Sequence, residues 1–139
     1  MEEEEMCNNN ILSGTVESLT WTFQDGLASI FGDEMNIDLF SNQETYTNGT
    51  VCDRVTRISP WVFGRYKAEV GRIELSNPFS GDPDAKTITI FDPATNINII
   101  IGGGYIEFTE VSETVVKGVM DISNGEDELC GPFELKICR

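Results

Sequence analysis

From Gly14 onward, apolar residues recur at every second position in one short segment after another. Leu19, Trp21 and Phe23 alternate with Thr20 and Thr22, and Met35, Ile37 and Leu39 with Asn36 and Asp38. Further on, Ile88 and Ile90 alternate with Thr87 and Thr89, and Phe133, Leu135 and Ile137 with Glu134 and Lys136. Successive side chains of a strand point to opposite faces, so this period marks strands with one buried face. The nearest approach to a helical period, Asp25 to Phe31, is too short to hold a helix against such neighbours. A count of about eight to ten closely spaced strands predicts an all-β fold, an antiparallel sandwich or barrel.

Turn residues divide these segments. Gln24-Asp25-Gly26 is expected to close a first hairpin between Leu19–Phe23 and Leu27–Phe31, and Gly32-Asp33 to lead into the strand centred on Ile37. Ser41 to Gly49 and Asn77 to Asp84 have loop composition, the latter with two prolines and a glycine that no ladder tolerates. Thr50 to Ile58 is either a further strand or a short irregular segment. Gly102-Gly103-Gly104 follows a strand but leads into another strand, so it reads as a bulge or sharp bend and not as a phosphate loop opening a helix.

The ribbon GYIEFTEV–SET–VVKGVMDI, Gly104 to Ile122, has no glycine or asparagine at its tip. Its register follows instead from burial. A loop of three or five residues sets Phe108 against Gly118 and Ile106 against Met120, whereas an even loop sets Phe108 against Lys117 and buries a charge. Gly118 then leaves room for a ring.

With 139 residues, the chain has the length of one domain. Residues 1–13, beginning MEEEEMCNNN, read as a flexible acidic and polar tail, and residues 14–139 as a single β domain. The 24 acidic and 9 basic residues, net charge −15, disfavour nucleic acid and anionic membranes as partners, because both are bound through Lys and Arg. Histidine is absent, which removes the usual general base and the commonest transition-metal ligand. No apolar run reaches the length of a spanning helix, and the N-terminus lacks the basic start and apolar centre of a signal peptide.

Four cysteines, Cys7, Cys52, Cys130 and Cys138, show no CxxC spacing. Disulfides involving Cys52, Cys130 and Cys138 stand against reduced thiols as the alternative. Cys130 and Cys138 lie too far apart along one extended strand, at about 3.3 Å per residue, to bond to each other. Cys52 is the expected core partner for one of them, and Cys7 is expected outside the fold. Asp82, Asp84 and Asp92 could offer calcium its carboxylate oxygens, although the loop departs from the EF-hand at its sixth and twelfth positions, Thr87 and Pro93. Trp21, Trp61, Tyr46, Tyr66 and Tyr105 could line a sugar or apolar ligand, but aromatics at strand spacing more often pack the core.

Several segments together resemble the small, secreted, β-rich lipoproteins of unknown function common in Bacteroidota. They are Cys7 followed by Asn8 to Asn10, Gly14 to Trp21, Pro60 to Tyr66, Gly104 to Val111, Val116 to Gly118, and Cys130 to Glu134. The resemblance implies a lipid anchor on Cys7, with MEEEEM standing where an export signal would be, and it transfers no catalytic residue. The resulting expectation is a non-enzymatic extracytoplasmic domain that binds an unknown ligand or protein or serves a structural role, touching membrane only through the anchor. Free thiols would point to the cytoplasm. The alternatives are a hydrolase using two carboxylates and a calcium-dependent adhesion module.

Overall fold

The computed structural model describes residues 7, 9–41, 60–77 and 86–138. Among them are eleven strands and no helix: β1 (Ser13–Val16), β2 (Leu19–Thr22), β3 (Asp25–Phe31), β4 (Glu34–Phe40), β5 (Trp61–Lys67), β6 (Gly71–Glu74), β7 (Ile88–Asp92), β8 (Ile97–Ile101), β9 (Gly104–Val111), β10 (Val115–Ser123) and β11 (Glu128–Ile137). They form one curled sheet, a half-barrel, in the order β6-β9-β10-β11-β3-β4-β5-β7-β8, with β1 bonded to β11 and β2. The all-β expectation holds.

Alternation along the strands places the core. Met35, Ile37 and Leu39 of β4, Val62 and Tyr66 of β5, Ile88 and Ile90 of β7, Ile106 and Phe108 of β9, and Met120 and Ile122 of β10 all face inward, forming one apolar cluster. A smaller cluster, Leu27 and Phe40 with Trp61 and Cys138, lies apart from it.

The first hairpin differs from the expected one. β2 pairs with β1, from Ser13↔Thr22 to Val16↔Leu19, and not with β3. The turn is Glu17-Ser18, with φ of 52° and 67°. Two such values suit the two-residue turn whose twist matches its strands, a place usually filled by Asn-Gly. Gln24 precedes β3 and donates its N–H to Phe40 O at 2.8 Å. The expected tail over 1–13 is also too long. Leu12 is fully buried, donates its N–H to Pro132 O at 2.9 Å and accepts from Phe23 N at 2.8 Å.

The β9–β10 ribbon has the expected inner register, with Gly118↔Phe108, Val119↔Glu107 and Met120↔Ile106. Near the tip the register shifts by one, so that Lys117 faces Glu110 and Val116 faces Val111. This bulge lets an even connection at the tip coexist with the register that keeps Lys117 out of the core. Ser112 supplies the turn chemistry that glycine would otherwise provide. Its Oγ accepts the N–H of Thr114 at 3.3 Å and of Val115 at 3.1 Å, while its own N–H donates to Val115 O at 3.0 Å. At the Gly102–Gly104 bend, Gly104 has φ of 96°, and a side chain there would run into the Asp121 carbonyl.

β11 carries Pro132 inside the sheet, where the missing N–H would usually break a ladder. A strand residue points its N–H and C=O to the same side. Pro132 O accepts from Leu12, so the absent donor faces away from β10, where β11 exchanges β1 for β3 as its neighbour.

Gly118 is fixed by space. A Cβ there would lie 2.6 Å from Glu107 O and 2.7 Å from the Phe133 ring, and Phe133 meets Phe108 edge to face at 6.2 Å. Gly118→Ala is therefore expected to destabilise the protein by about 1–3 kcal/mol, the usual cost of overpacking. Urea unfolding checks this, and an unchanged midpoint would contradict the packing.

Candidate functional site

The tip of the β3–β4 hairpin and the β5–β6 connection lie side by side, joined by Ala68 N donating to Asp33 O at 2.8 Å. Beneath them β5 and β7 separate, since their pairing covers only Trp61↔Phe91, Val62↔Ile90 and Phe63↔Thr89. Tyr66 bridges the gap by donating its hydroxyl to Thr87 O at 2.7 Å. Its ring lies over Gly64, where any Cβ would strike it, and contacts Phe108 at 6.0 Å between centroids. Burial pushes the Tyr66 hydroxyl well above the ordinary tyrosine range, so it stays a neutral donor. Ser76 N donates to Lys86 O at 2.8 Å, and Lys86 N to Ser76 Oγ at 3.1 Å. These bonds stitch the continuation of β6, one end of the sheet, to the lead-in of β7, the strand next to the other end, and form a seam.

A cavity of about 330 Å³ opens at the seam, and a second hollow of about 570 Å³ shares Arg65, Tyr66 and Lys86 with it. The first is lined by Arg65, Lys67, Arg72 and Lys86 together with Asp33, Glu34 and Glu69. Four basic against three acidic residues is unlike the chain as a whole, with its 9 against 24. Two of the cations are held in place. Arg65 Nε donates to Asn36 Oδ1 at 2.7 Å, and Arg72 lies over the Tyr105 ring at 3.6 Å while bridging Glu74 at 3.2 Å. Neither Lys67 nor Lys86 has an ion-pair partner for its ammonium group among the described residues. The sequence does not mark these four, because each is an ordinary exposed residue on a strand or, for Lys86, just before one; the seam alone brings them together.

A carboxylate group forms elsewhere. Glu17 N donates to Asp127 Oδ1 at 2.8 Å, and the Glu17 side chain hydrogen-bonds Asp92. That bond, followed by burial and the repulsion of Asp92 and Asp127, raises the Glu17 pKa. The same bond from Glu17 lowers Asp92, against its burial and aided by the Ala94 and Thr95 donors. The two shifts run in opposite directions, so of the pair Glu17 is the carboxyl that gives up its proton last. Nothing in the sequence marked Glu17, because its hairpin turn was unreadable.

Of the expected calcium ligands, Asp92 caps its own turn, accepting Ala94 N at 2.9 Å and Thr95 Oγ1 at 3.1 Å, and Asp82 and Asp84 lie outside the described residues. Trp21 is a core residue whose Nε1 donates to Pro60 O at 2.9 Å, Trp61 packs on Phe91 at 4.9 Å, and Tyr46 lies outside the described residues. Cys130 is disulfide-bonded, as expected of it, but to Cys7, with Cα atoms 5.9 Å apart. The placement of Cys7 outside the fold is therefore corrected, because residues 9–12 run back along β11 and bring it to Cys130. Asn9 Nδ2 donates to Cys130 O at 3.2 Å on the same path. Cys138 is disulfide-bonded too, and Cys52 lies outside the described residues.

No family model, curated protein or solved structure matches the chain.

A raised carboxyl pKa stabilises the fold below the ordinary range and loses that contribution as pH rises through the raised value. The lowered pKa of Asp92 acts oppositely, its contribution being lost as pH falls through the lowered value. Glu17→Gln keeps a donor toward Asp92 and removes the second charge. The variant should gain thermal stability relative to the wild type as pH rises above the ordinary glutamate range. A pH-independent difference between the two melting curves would contradict the raised Glu17 pKa.

Proposed function

We propose that the chain is a non-enzymatic, extracytoplasmic binding domain, and that its ligand carries an anionic group received at the seam cavity. The observation that carries this reading is the convergence of Arg65, Lys67, Arg72 and Lys86 on one cavity of a strongly acidic chain. A mostly pre-formed concavity with a few converging polar groups is the usual form of a ligand site. Arg65 and Arg72 are held by neighbours, which lowers the ordering cost of binding, and Lys67 and Lys86 remain available to an oxyanion. Neither Glu17 nor Asp92 lines this cavity, so the carboxylate pair offers its ligand no acid or base.

The Cys7–Cys130 disulfide supports the extracytoplasmic setting, since such bonds persist where thiols are not kept reduced. A sulfur bonded to Cys130 cannot also carry a lipid thioether. The likeness to secreted β-rich proteins is kept here, and the anchor on Cys7 is not.

Two measurements test the proposal. Mass spectrometry of unreduced protein should find Cys7 and Cys130 linked; four free thiols would contradict an oxidising compartment. In thermal-shift titrations with sulfate, phosphate and citrate, at least one anion should raise the melting temperature. Lys67→Gln combined with Lys86→Gln should weaken its binding by about tenfold or more, as expected for lost charge-assisted hydrogen bonds. No shift with any of the three would contradict an anionic ligand, and an unchanged affinity in the variant would contradict the location.

A further inference from the structure

The hydrogen-bonded path of the sheet ends on two strands that differ in kind. β6 is a blunted edge. It has four residues, starts at Gly71 with φ of 151°, and carries Arg72 and Glu74, whose side chains bridge at 3.2 Å. Beyond it, the N–H groups of Leu75 and Ser76 are already used, by Gly104 O at 2.9 Å and Lys86 O at 2.8 Å. Short length, irregular backbone and charge are the devices by which natural sheets keep an edge from pairing further.

β8 has none of them. Its sequence is Ile-Asn-Ile-Ile-Ile, without charge, proline or glycine, and its inner side pairs with β7 in unbroken register from Asp92↔Ile97 to Ile88↔Ile101. No described residue pairs with its outer side. Ile97 is 50 % exposed and Ile100 47 % exposed, and, lying at odd and even positions, they point to opposite faces of the strand. A strand added there would satisfy a row of backbone donors and acceptors and cover apolar surface on both faces.

We propose that the outer edge of β8 pairs antiparallel with β8 of a second copy of this chain, joining two half-barrels into one continuous sheet about a two-fold axis. An antiparallel edge is its own complement, because a two-fold rotation presents its donors to its acceptors. A register centred on Ile99 sets Ile97 against Ile101 and Asn98 against Ile100. Charge favours a second copy here. Two chains of net charge −15 repel broadly, but β8 has no ionisable side chain, and Asp92 on β7 is buried and capped by its own turn. A basic partner would find nothing to pair with on this strand. Because β6 is blunted, pairing at β8 uses the open end of the path from β6 to β8 in each chain, and assembly along that path closes at the dimer.

The test is sedimentation equilibrium of the wild type, of Ile100→Lys, and of Phe31→Lys, which adds the same charge at an exposed site on β3, separated from β8 in the sheet by β4, β5 and β7. The wild type should show a monomer–dimer equilibrium. Ile100→Lys, whose charge enters the interface twice, should weaken it by about tenfold or more, and Phe31→Lys should leave it unchanged. Hydrogen exchange at the backbone amides of β8 should slow as protein concentration rises. A wild type that stays monomeric would overturn the proposal, whether its β8 amides exchange freely or are covered by another part of the same chain. A dimer indifferent to Ile100→Lys would place the interface elsewhere and overturn it equally.

Discussion

The last strand holds the two halves of this fold together. β11 pairs with β10 along nine residue pairs, from Val115↔Lys136 to Ser123↔Glu128, and so carries the β9–β10 ribbon and the edge strand β6. On its other side it meets β1 first and then β3, in the one parallel pairing among the described strands, Lys136↔Leu27 and Ile137↔Ala28, continued by Cys138 N donating to Ala28 O at 2.8 Å. Through β3 hang β4, β5, β7 and β8. The Cys7–Cys130 disulfide spans 123 residues and pins the start of the chain to this same strand. In the chain-entropy account, a loop on that scale restricts the unfolded chain by about 4–5 kcal/mol.

This arrangement creates the seam. With β11 fixing the middle of the curl, the continuation of β6 meets the lead-in of β7 where Ser76 bonds Lys86, and Tyr66 of β5 reaches Thr87 beside it. The opening they leave gathers basic side chains from β5, β6 and the lead-in to β7. Elsewhere the acidic side chains dominate, so an anionic ligand would be repelled over most of the surface and received at one end. The edge β8 is neutral because none of its five residues is ionisable.

The parts of this fold legible in the sequence were those governed by two-residue periodicity. Burial of Ile106, Phe108 and Met120 decided the inner register of the ribbon, because a slip by one would have buried Lys117. The bulge beside Lys117 was not legible, since a bulge leaves the inner alternation intact and depends on how the tip closes through Ser112. The β1–β2 hairpin escaped because Glu17-Ser18 adopts a conformation normally signalled by Asn or Gly. Alternation also carries no information about which strands are neighbours, so neither the parallel β11–β3 pairing nor the approach of Lys86 to Arg65 could be read. Cys7 was misplaced for the same reason. Its proximity to Cys130 depends on residues 9–12 following β11, a path on which Leu12 is fully buried and which alternation does not announce.

Native-state hydrogen exchange tests the role of β11 most directly. If β11 is the strand through which both halves are held, the amides it shares with β10, and that of Cys138 at the β3 junction, exchange only through global unfolding and are the slowest in the protein. The amides of β6 then open at much lower free energy. Exchange at the β11–β3 junction as fast as at β6 would mean that the two halves open independently, and would contradict the account.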